Sequence, residues 1–585
     1  MTTGTTSYRR DRLASAWPDF EPLARPLLAI AVLASGLLLL HLSRGTSFWA
    51  DEWTWIATRR GDTVDAFLAP YNGHLSLVPI AIYRLMFAIF GIGSYTPYRA
   101  LVIVLSLVVA VLVFVYARTR VGELVALLLA VSMLFLGPGW QDTMWAFQIP
   151  WLIACAAAIV ALMLLERRTG RADAAACALL TLAICSTSVG LAFALGIAVD
   201  LALTRRRWRD AWIVVIPLVL YAIWALHYHP TQLTASAIPT IPLNVAQAAA
   251  ATLSVLVGLS GIQPFDATGT SLVYGWPLLV LAAGLVAWRA RTARPRARAV
   301  TLAVTFAAFA ASVSIVHGGI ASPLSSRYIY VYCLLAVLLI AELARGARPS
   351  APVQVALCAV ALLAVISNVG NLRAEGGYIR ASGAETNGAL TGLELDRSSV
   401  APTTLARIAF YPFTALTARQ YFDAERTLGT PAYTISQLRQ APAGVQSATD
   451  AQLLGDGDVT LASGGSFPAA TNSAAGPAVA PSVLGSANAA TVRAGPCIRF
   501  TPAAALAPGS VASVALNVQR GRLAVITDAA AATIAIRRFA PTYTTLGTVA
   551  ARSSATLTVR PDAVSDPWYL ELSSIAPVRA CTLRP

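Results

Sequence analysis

Lysine is absent from this chain. All 43 basic residues are arginine, and the net charge of +15 is arginine charge alone. Charge of either sign is scarce, at 12% of residues against roughly 25% in soluble domains. That excludes an ordinary soluble protein. An arginine excess in so apolar a chain reads as loops that set membrane orientation, so no nucleic-acid partner is inferred. Cysteine is sparse, with seven in 585 residues. There is no internal repeat of the kind many transporters carry. No A-x-A cleavage site follows the first apolar run, which is therefore read as an anchor.

What is present is hydrocarbon. Hydrophobic residues make up 57% of the chain, and mean hydropathy is +0.65. Eleven apolar runs are read as spans of a core about 30 Å thick: 26–42, 98–117, 121–137, 149–165, 173–187, 189–203, 211–226, 275–289, 299–316, 328–343 and 352–369. Two more runs, 77–92 and 244–262, are read as not crossing. With those two left out, the arginine-rich loops fall on one side: Arg118 and Arg120, Arg167, Arg168 and Arg171, Arg205 to Arg207 and Arg209, 289–298, Arg345 and Arg348. Positive-inside bias then puts the N-terminus in the cytoplasm and the C-terminus outside. Arg84 within 77–92 points to an interfacial helix. All five histidines, His41, His74, His227, His229 and His317, fall on the outer face in this arrangement.

Four segments follow: a cytoplasmic tail 1–25, a membrane domain 26–370, a partly helical outer segment 371–456, and an outer domain 457–585. The last has short β-rich runs at 511–519, 523–527, 533–539, 555–560 and 568–573, separated by Gly, Pro, Ser and Asp turns. That pattern predicts a β-sandwich. Cys497 and Cys581 are the two cysteines of this domain, and an oxidising exterior predicts a disulfide between them.

The first outer loop reads FWADEWTWI at 48–56. It sets Asp51 and Glu52 among Phe48, Trp49, Trp53 and Trp55. YNGHLSLVPIAIYRLMFAIFG at 71–91 and YTPYR at 95–99 come next. GPGWQDTMWAFQI at 137–149 carries a third acid, Asp142, and HGGIASPLSSRYIY at 317–330 carries Arg327. The ordered set resembles the GT-C superfamily of integral-membrane glycosyltransferases. It resembles especially that superfamily's protein-mannosyltransferase and aminoarabinose-transferase-like branch. The carriers are the acidic pair, the G-H-x-S-x-x-P-x-x-x-Y-R segment, FGIGSYTPYR, and Asp142. Where that branch often has a Lys-Pro-Pro-like stretch, this chain has LSLVP.

The resemblance implies an enzyme of the plasma (inner) membrane with about eleven helices and an outer α+β domain. It implies transfer of a sugar from a polyprenyl-phosphate donor to an extracytoplasmic cell-envelope acceptor, with inversion. Asp51 would be the general base, supported by Glu52 and His74. Arg327, Arg84 and Tyr328 would meet the donor phosphate. Trp49, Trp53, Trp140, Gln141, Tyr71 and Asn72 would line the substrate, and Trp55 and Trp145 are further aromatic candidates. Asp142 and Glu52 would hold a divalent ion, Mg²⁺ or Mn²⁺, if one takes part. Each residue has a plainer reading as helix cap, belt aromatic, or structural ion pair; Arg99 is weighed the same way. Two other functions stay open: a lipid-linked sugar flippase or transporter, and a non-catalytic cell-wall-binding membrane protein.

Overall fold

The computed structural model describes residues 21–583 except 205–207, 231–234, 261–271, 293–295, 318–321, 323, 412–413, 465–480, 505–509, 519–520 and 561–563. Arg9, Arg10, Arg12, Arg205 to Arg207, the side chain of His317 and most of the loop after it lie outside the described residues. The chain forms two compact units. One comprises Met1–Arg44, Thr58–Phe90 and Tyr95–Arg380. The other comprises Gly45–Ala57, Gly91–Ser94 and Ala381–Pro585.

The first unit is helical, and every apolar run read as a span forms helix. Proline sits in the first turn of Thr96–Val121, Ile149–Leu165 and Ile241–Leu256, where its missing N–H is not needed. Among the described residues, seven helices are long and apolar enough to cross a membrane, or eight if the bent pair Glu123–Leu134 and Gly137–Met144 is one span. The expected count of eleven is higher because it accepted short runs. Gly170–Ile184 and Val189–Leu203 have 15 residues each, or about 22 Å at 1.5 Å per residue. Run 244–262, read as not crossing, belongs to a helix Ala237–Leu256 that does meet the length and apolarity test. Leu77–Phe90 has 14 residues and is shorter than a span.

Helices in this unit approach through small residues, as packing in lipid favours. A Cβ on Gly196 would come within 1.9 Å of Thr305 Oγ1 and 3.1 Å of the Thr301 carbonyl. Charged residues gather at the helix ends. Arg120 bonds Glu342 at 2.5 Å and pairs with Glu166. Tyr116 donates to Glu342 at 2.7 Å. Arg298 meets Asp200 at 3.4 Å, and Thr301 donates to the same carboxylate. Buried charges persist in such surroundings only when paired.

The second unit contains helices Asp51–Thr58, Ala418–Leu428, Ile435–Arg439 and Ala443–Asp456, and the end of Ala351–Leu395 from Ala381 onward. Thr417 with Gln420 and Thr434 with Gln437 form two capping boxes. The eleven strands are β1 (Val459–Ser463), β2 (Ser482–Ala487), β3 (Ala489–Ala494), β4 (Cys497–Pro502), β5 (Ala512–Val518), β6 (Gly521–Thr527), β7 (Ala532–Arg537), β8 (Thr544–Val549), β9 (Ser554–Val559), β10 (Trp568–Ser574) and β11 (Val578–Leu583). They build a six-stranded sheet, β1-β9-β6-β11-β4-β3, and a five-stranded sheet, β2-β5-β10-β7-β8. All pairings are antiparallel.

Alternation of buried and half-buried residues is strict in β5 and β10. It turns Val514, Leu516, Leu570 and Leu572 toward Phe500, Val525, Leu557 and Val578 of the other sheet, in one shared core. Cys497 and Cys581 face each other across β4 and β11 and form the expected disulfide. Asp450 joins the helical part to the sandwich. Its buried carboxylate accepts backbone N–H bonds from Arg538, Phe539 and Ala540 at 2.7 to 3.0 Å.

Candidate functional site

The acidic loop belongs wholly to the second unit. Ala50 turns the chain with φ of 49°, a left-handed value uncommon outside glycine, and helix Asp51–Thr58 starts directly after it. The two acids differ in surroundings. Glu52 is fully buried and accepts the Trp49 backbone N–H at 3.0 Å. Asp51, in the first turn, is partly exposed. Phe48, Trp49, Trp53 and Trp55 are all buried. The Trp53 indole donates to the Phe48 carbonyl at 3.1 Å. The Trp49 indole donates to Ser382 Oγ at 2.7 Å, and its ring lies 5.2 Å from that of Phe410. Trp49 and Trp53 are thus wedges packed into protein.

The rest of the candidate set lies in the first unit. Asp142 is fully buried in the short helix Trp140–Met144, and among the described residues neither carboxylate oxygen meets a hydrogen-bond donor beyond its own backbone N–H. Its electrostatic counterpart is Arg327, whose guanidinium lies 5.2 Å from the Tyr328 ring. Tyr330 also lies in the field of Asp142. Gln141 N donates to Ser326 Oγ at 3.1 Å, tying the Asp142 helix to the start of Ser326–Leu343. Trp140 meets Tyr378 edge-on at 6.3 Å. Tyr95, from the FGIGSYTPYR step, accepts the Ala146 backbone N–H at 2.9 Å and fixes the strand-like turn at Trp145. Asp142, Arg327, Tyr328, Trp140 and Gln141 therefore form one group.

The remaining candidates have evident local roles. Tyr71 and His74 exchange two backbone hydrogen bonds across Asn72 and Gly73, both at positive φ. That is the Asn-Gly type I′ turn. The His74 ring lies edge-on to Trp151, and Tyr71 to Phe147. Arg84 binds Asp62 at 3.0 Å and the Gly61 carbonyl at 2.7 Å, with Phe67 beneath it. Arg99 donates to the Leu40 carbonyl. His229 ends helix Trp212–Tyr228 in a left-handed cap, and the His227 ring packs on Tyr228. Among the described residues, no group of three or more His, Cys, Asp and Glu side chains is arranged to hold a metal. Glu52 and Asp142, the expected ligands, belong to no such group, and they lie in different units.

Sequence reading missed the partners supplied from beyond residue 365. Asn368, Asn371, Glu375, Tyr378 and Ser382 recur every three or four residues along Ala351–Leu395. This is a polar stripe at the helical period, and Asn368, Asn371 and Glu375 are buried. The periodicity is legible in the sequence once the helix is known to continue past the apolar run.

The fold defines a polytopic helical membrane protein with a C-terminal β-sandwich, and the candidate acids lie in loops of both units. No family model matches the chain, and no curated protein does. Two solved structures are similar to it. ArnT from Cupriavidus metallidurans, bound to undecaprenyl phosphate, is 15% identical, with 70% of this chain and 85% of that one covered and a TM-score of 0.43. The Archaeoglobus fulgidus oligosaccharyltransferase, tethered to an acceptor peptide with an NVT sequon, is 12% identical, with 75% and 72% covered and a TM-score of 0.38.

Proposed function

We propose that this chain is a membrane glycosyltransferase. It moves a sugar from a polyprenyl-phosphate donor to an acceptor hydroxyl of the cell envelope, on the outer side of the plasma membrane. Asp51 is the general base. The observation that carries this reading is the division of labour within the acidic pair: Glu52 is buried on a backbone N–H, whereas Asp51 stays partly exposed beside it. An acceptor hydroxyl is a weak nucleophile, and a positioned carboxylate removes its proton as the new bond forms.

In the proposed step the acceptor oxygen attacks the anomeric carbon, its proton passes to Asp51, and the bond from that carbon to the phosphate oxygen breaks. The electron pair leaves on polyprenyl phosphate. One displacement inverts the anomeric centre. Arg327, whose guanidinium lies 5.2 Å from the Tyr328 ring, is the cation assigned to the growing phosphate charge. Glu52 shapes the loop, and no step is routed through a metal. The test is transfer by purified full-length protein from a polyprenyl-phosphate sugar. Asp51→Asn is expected to lose about 10²–10⁴-fold in turnover while expression and melting temperature hold.

A further inference from the structure

We infer that the C-terminal unit sets the position of the proposed base, with Ser382, Asn387 and Tyr421 as its positioning residues. This rests on the reading of Asp51 above.

The FWADEWTWI segment lies more than 300 residues before the C-terminal unit in sequence, yet it folds as part of that unit. Three side-chain contacts hold it there. Ser47 donates to Asn387 Oδ1 at 2.7 Å. The Trp49 indole donates to Ser382 Oγ at 2.7 Å. The Trp53 ring lies edge-on to Tyr421 at 6.1 Å. Tyr421 is itself fixed, because its hydroxyl donates to Glu394 at 2.5 Å and also meets Thr430. Thr430 donates to the same Glu394 oxygen. Asn387, Ser382 and Glu394 all come from helix Ala351–Leu395.

These contacts bracket the acid. Ser47 and Trp49 come before Asp51, and Trp53 comes after it. The helix that carries Asp51 has only eight residues, too few to hold a geometry without tertiary packing. A carboxylate that must meet a hydroxyl within hydrogen-bond reach tolerates little displacement. Close backbone approach leaves little play in the loop: a Cβ on Gly383 would come within 2.9 Å of the Ser47 nitrogen. A second strap belongs to the same unit, where Ile92 N donates to the Leu428 carbonyl at 2.8 Å at the C-terminal end of the Tyr421 helix.

The test uses full-length protein in detergent with three variants, Ser382→Ala, Tyr421→Phe and Ser382→Thr, each measured by hydrogen exchange and by turnover. Ser382→Ala and Tyr421→Phe are each expected to speed amide exchange of residues 45–57 by roughly fivefold, the scale of one lost hydrogen bond. They are expected to lower kcat by a similar factor and leave KM for the lipid donor unchanged. Ser382→Thr, which restores a hydroxyl, should recover both. In an Asp51→Asn background, Ser382→Ala should cause no further loss of the residual rate. Unchanged exchange across 45–57 in both Ser382→Ala and Tyr421→Phe overturns the inference. So does faster exchange with unchanged kcat, which would mean the contacts hold the loop without positioning the base. Near-normal turnover by Asp51→Asn alone overturns the base assignment instead, and the exchange result separates the two failures.

Discussion

At the scale of single residues, the adjacent acids Asp51 and Glu52 carry different loads. Glu52 holds its own loop through the Trp49 N–H. Removing it leaves a buried donor unmet, a cost of about 1–3 kcal/mol. Glu52→Gln keeps an acceptor there and should melt within a degree or two of wild type, whereas Glu52→Ala should melt clearly lower. Equal melting of both variants would remove the capping role.

A second residue-scale effect concerns pH. Burial pushes the Asp456 carboxyl up to about 7; the Gln452 amide donates to it and pulls the other way, while neighbouring Asp396 adds to the rise and Arg407 and Arg560 oppose it. An unfolded aspartate titrates near 3.9. Between roughly pH 4 and 7 the folded unit therefore holds a proton that the unfolded chain has lost. Its contribution to stability falls as pH rises through that window and levels off above it. Thermal melts from pH 4.5 to 7.5 should show a slope that Asp456→Asn reduces; the same slope in the variant would contradict the assignment.

The acids themselves were legible in the sequence because charge is rare in this chain. Their division of labour was not, since it depends on which carboxylate meets a backbone N–H. The aromatic neighbours were also legible as residues, yet their burial as wedges depends on Ser382, Phe410 and Tyr421, all distant in sequence.

At the scale of elements, composition located the helices well and their ends poorly. Ala351–Leu395 runs 45 residues, about 67 Å, more than twice a hydrocarbon core of about 30 Å. Hydropathy revealed only its apolar first half. The remainder has a helical polar stripe that hydropathy does not weigh. Five of the strands were visible as β-branched runs. Some of the others, such as the exposed β2 and β3, lack the alternation that marks a half-buried strand. FGIGSYTPYR, noted as a motif, has a mechanical explanation at its first glycine. Gly91 has φ of +60°, and a Cβ there would come within 2.2 Å of the Leu428 carbonyl oxygen. Gly91→Ala should therefore cost about 1–3 kcal/mol and speed exchange at the Ile92 amide. Unchanged exchange there would show that the chain crosses Leu428 with room to spare.

At the scale of the molecule, a multi-pass helical body and a disulfide-bonded sandwich follow from composition, and both are present. Span count is harder, because 15-residue apolar helices buried among other helices look like spans to a hydropathy window. Orientation rests on the arginine pattern with runs 77–92 and 244–262 left uncrossed, although Ala237–Leu256 is long and apolar enough to span. It predicts that reporters inserted within 60–70 and after residue 370 both read the exterior, and a cytoplasmic signal at either point would reverse the corresponding assignment.

The central claim, that Asp51 activates an acceptor for attack on a lipid-linked sugar, has one direct measurement. Purified full-length wild type and Asp51→Asn are given the same polyprenyl-phosphate sugar and envelope acceptor, and single-turnover transfer is followed alongside melting temperature. The account predicts a loss of about 10²–10⁴-fold in the transfer rate with melting unchanged. Transfer by Asp51→Asn within a fewfold of wild type would contradict it.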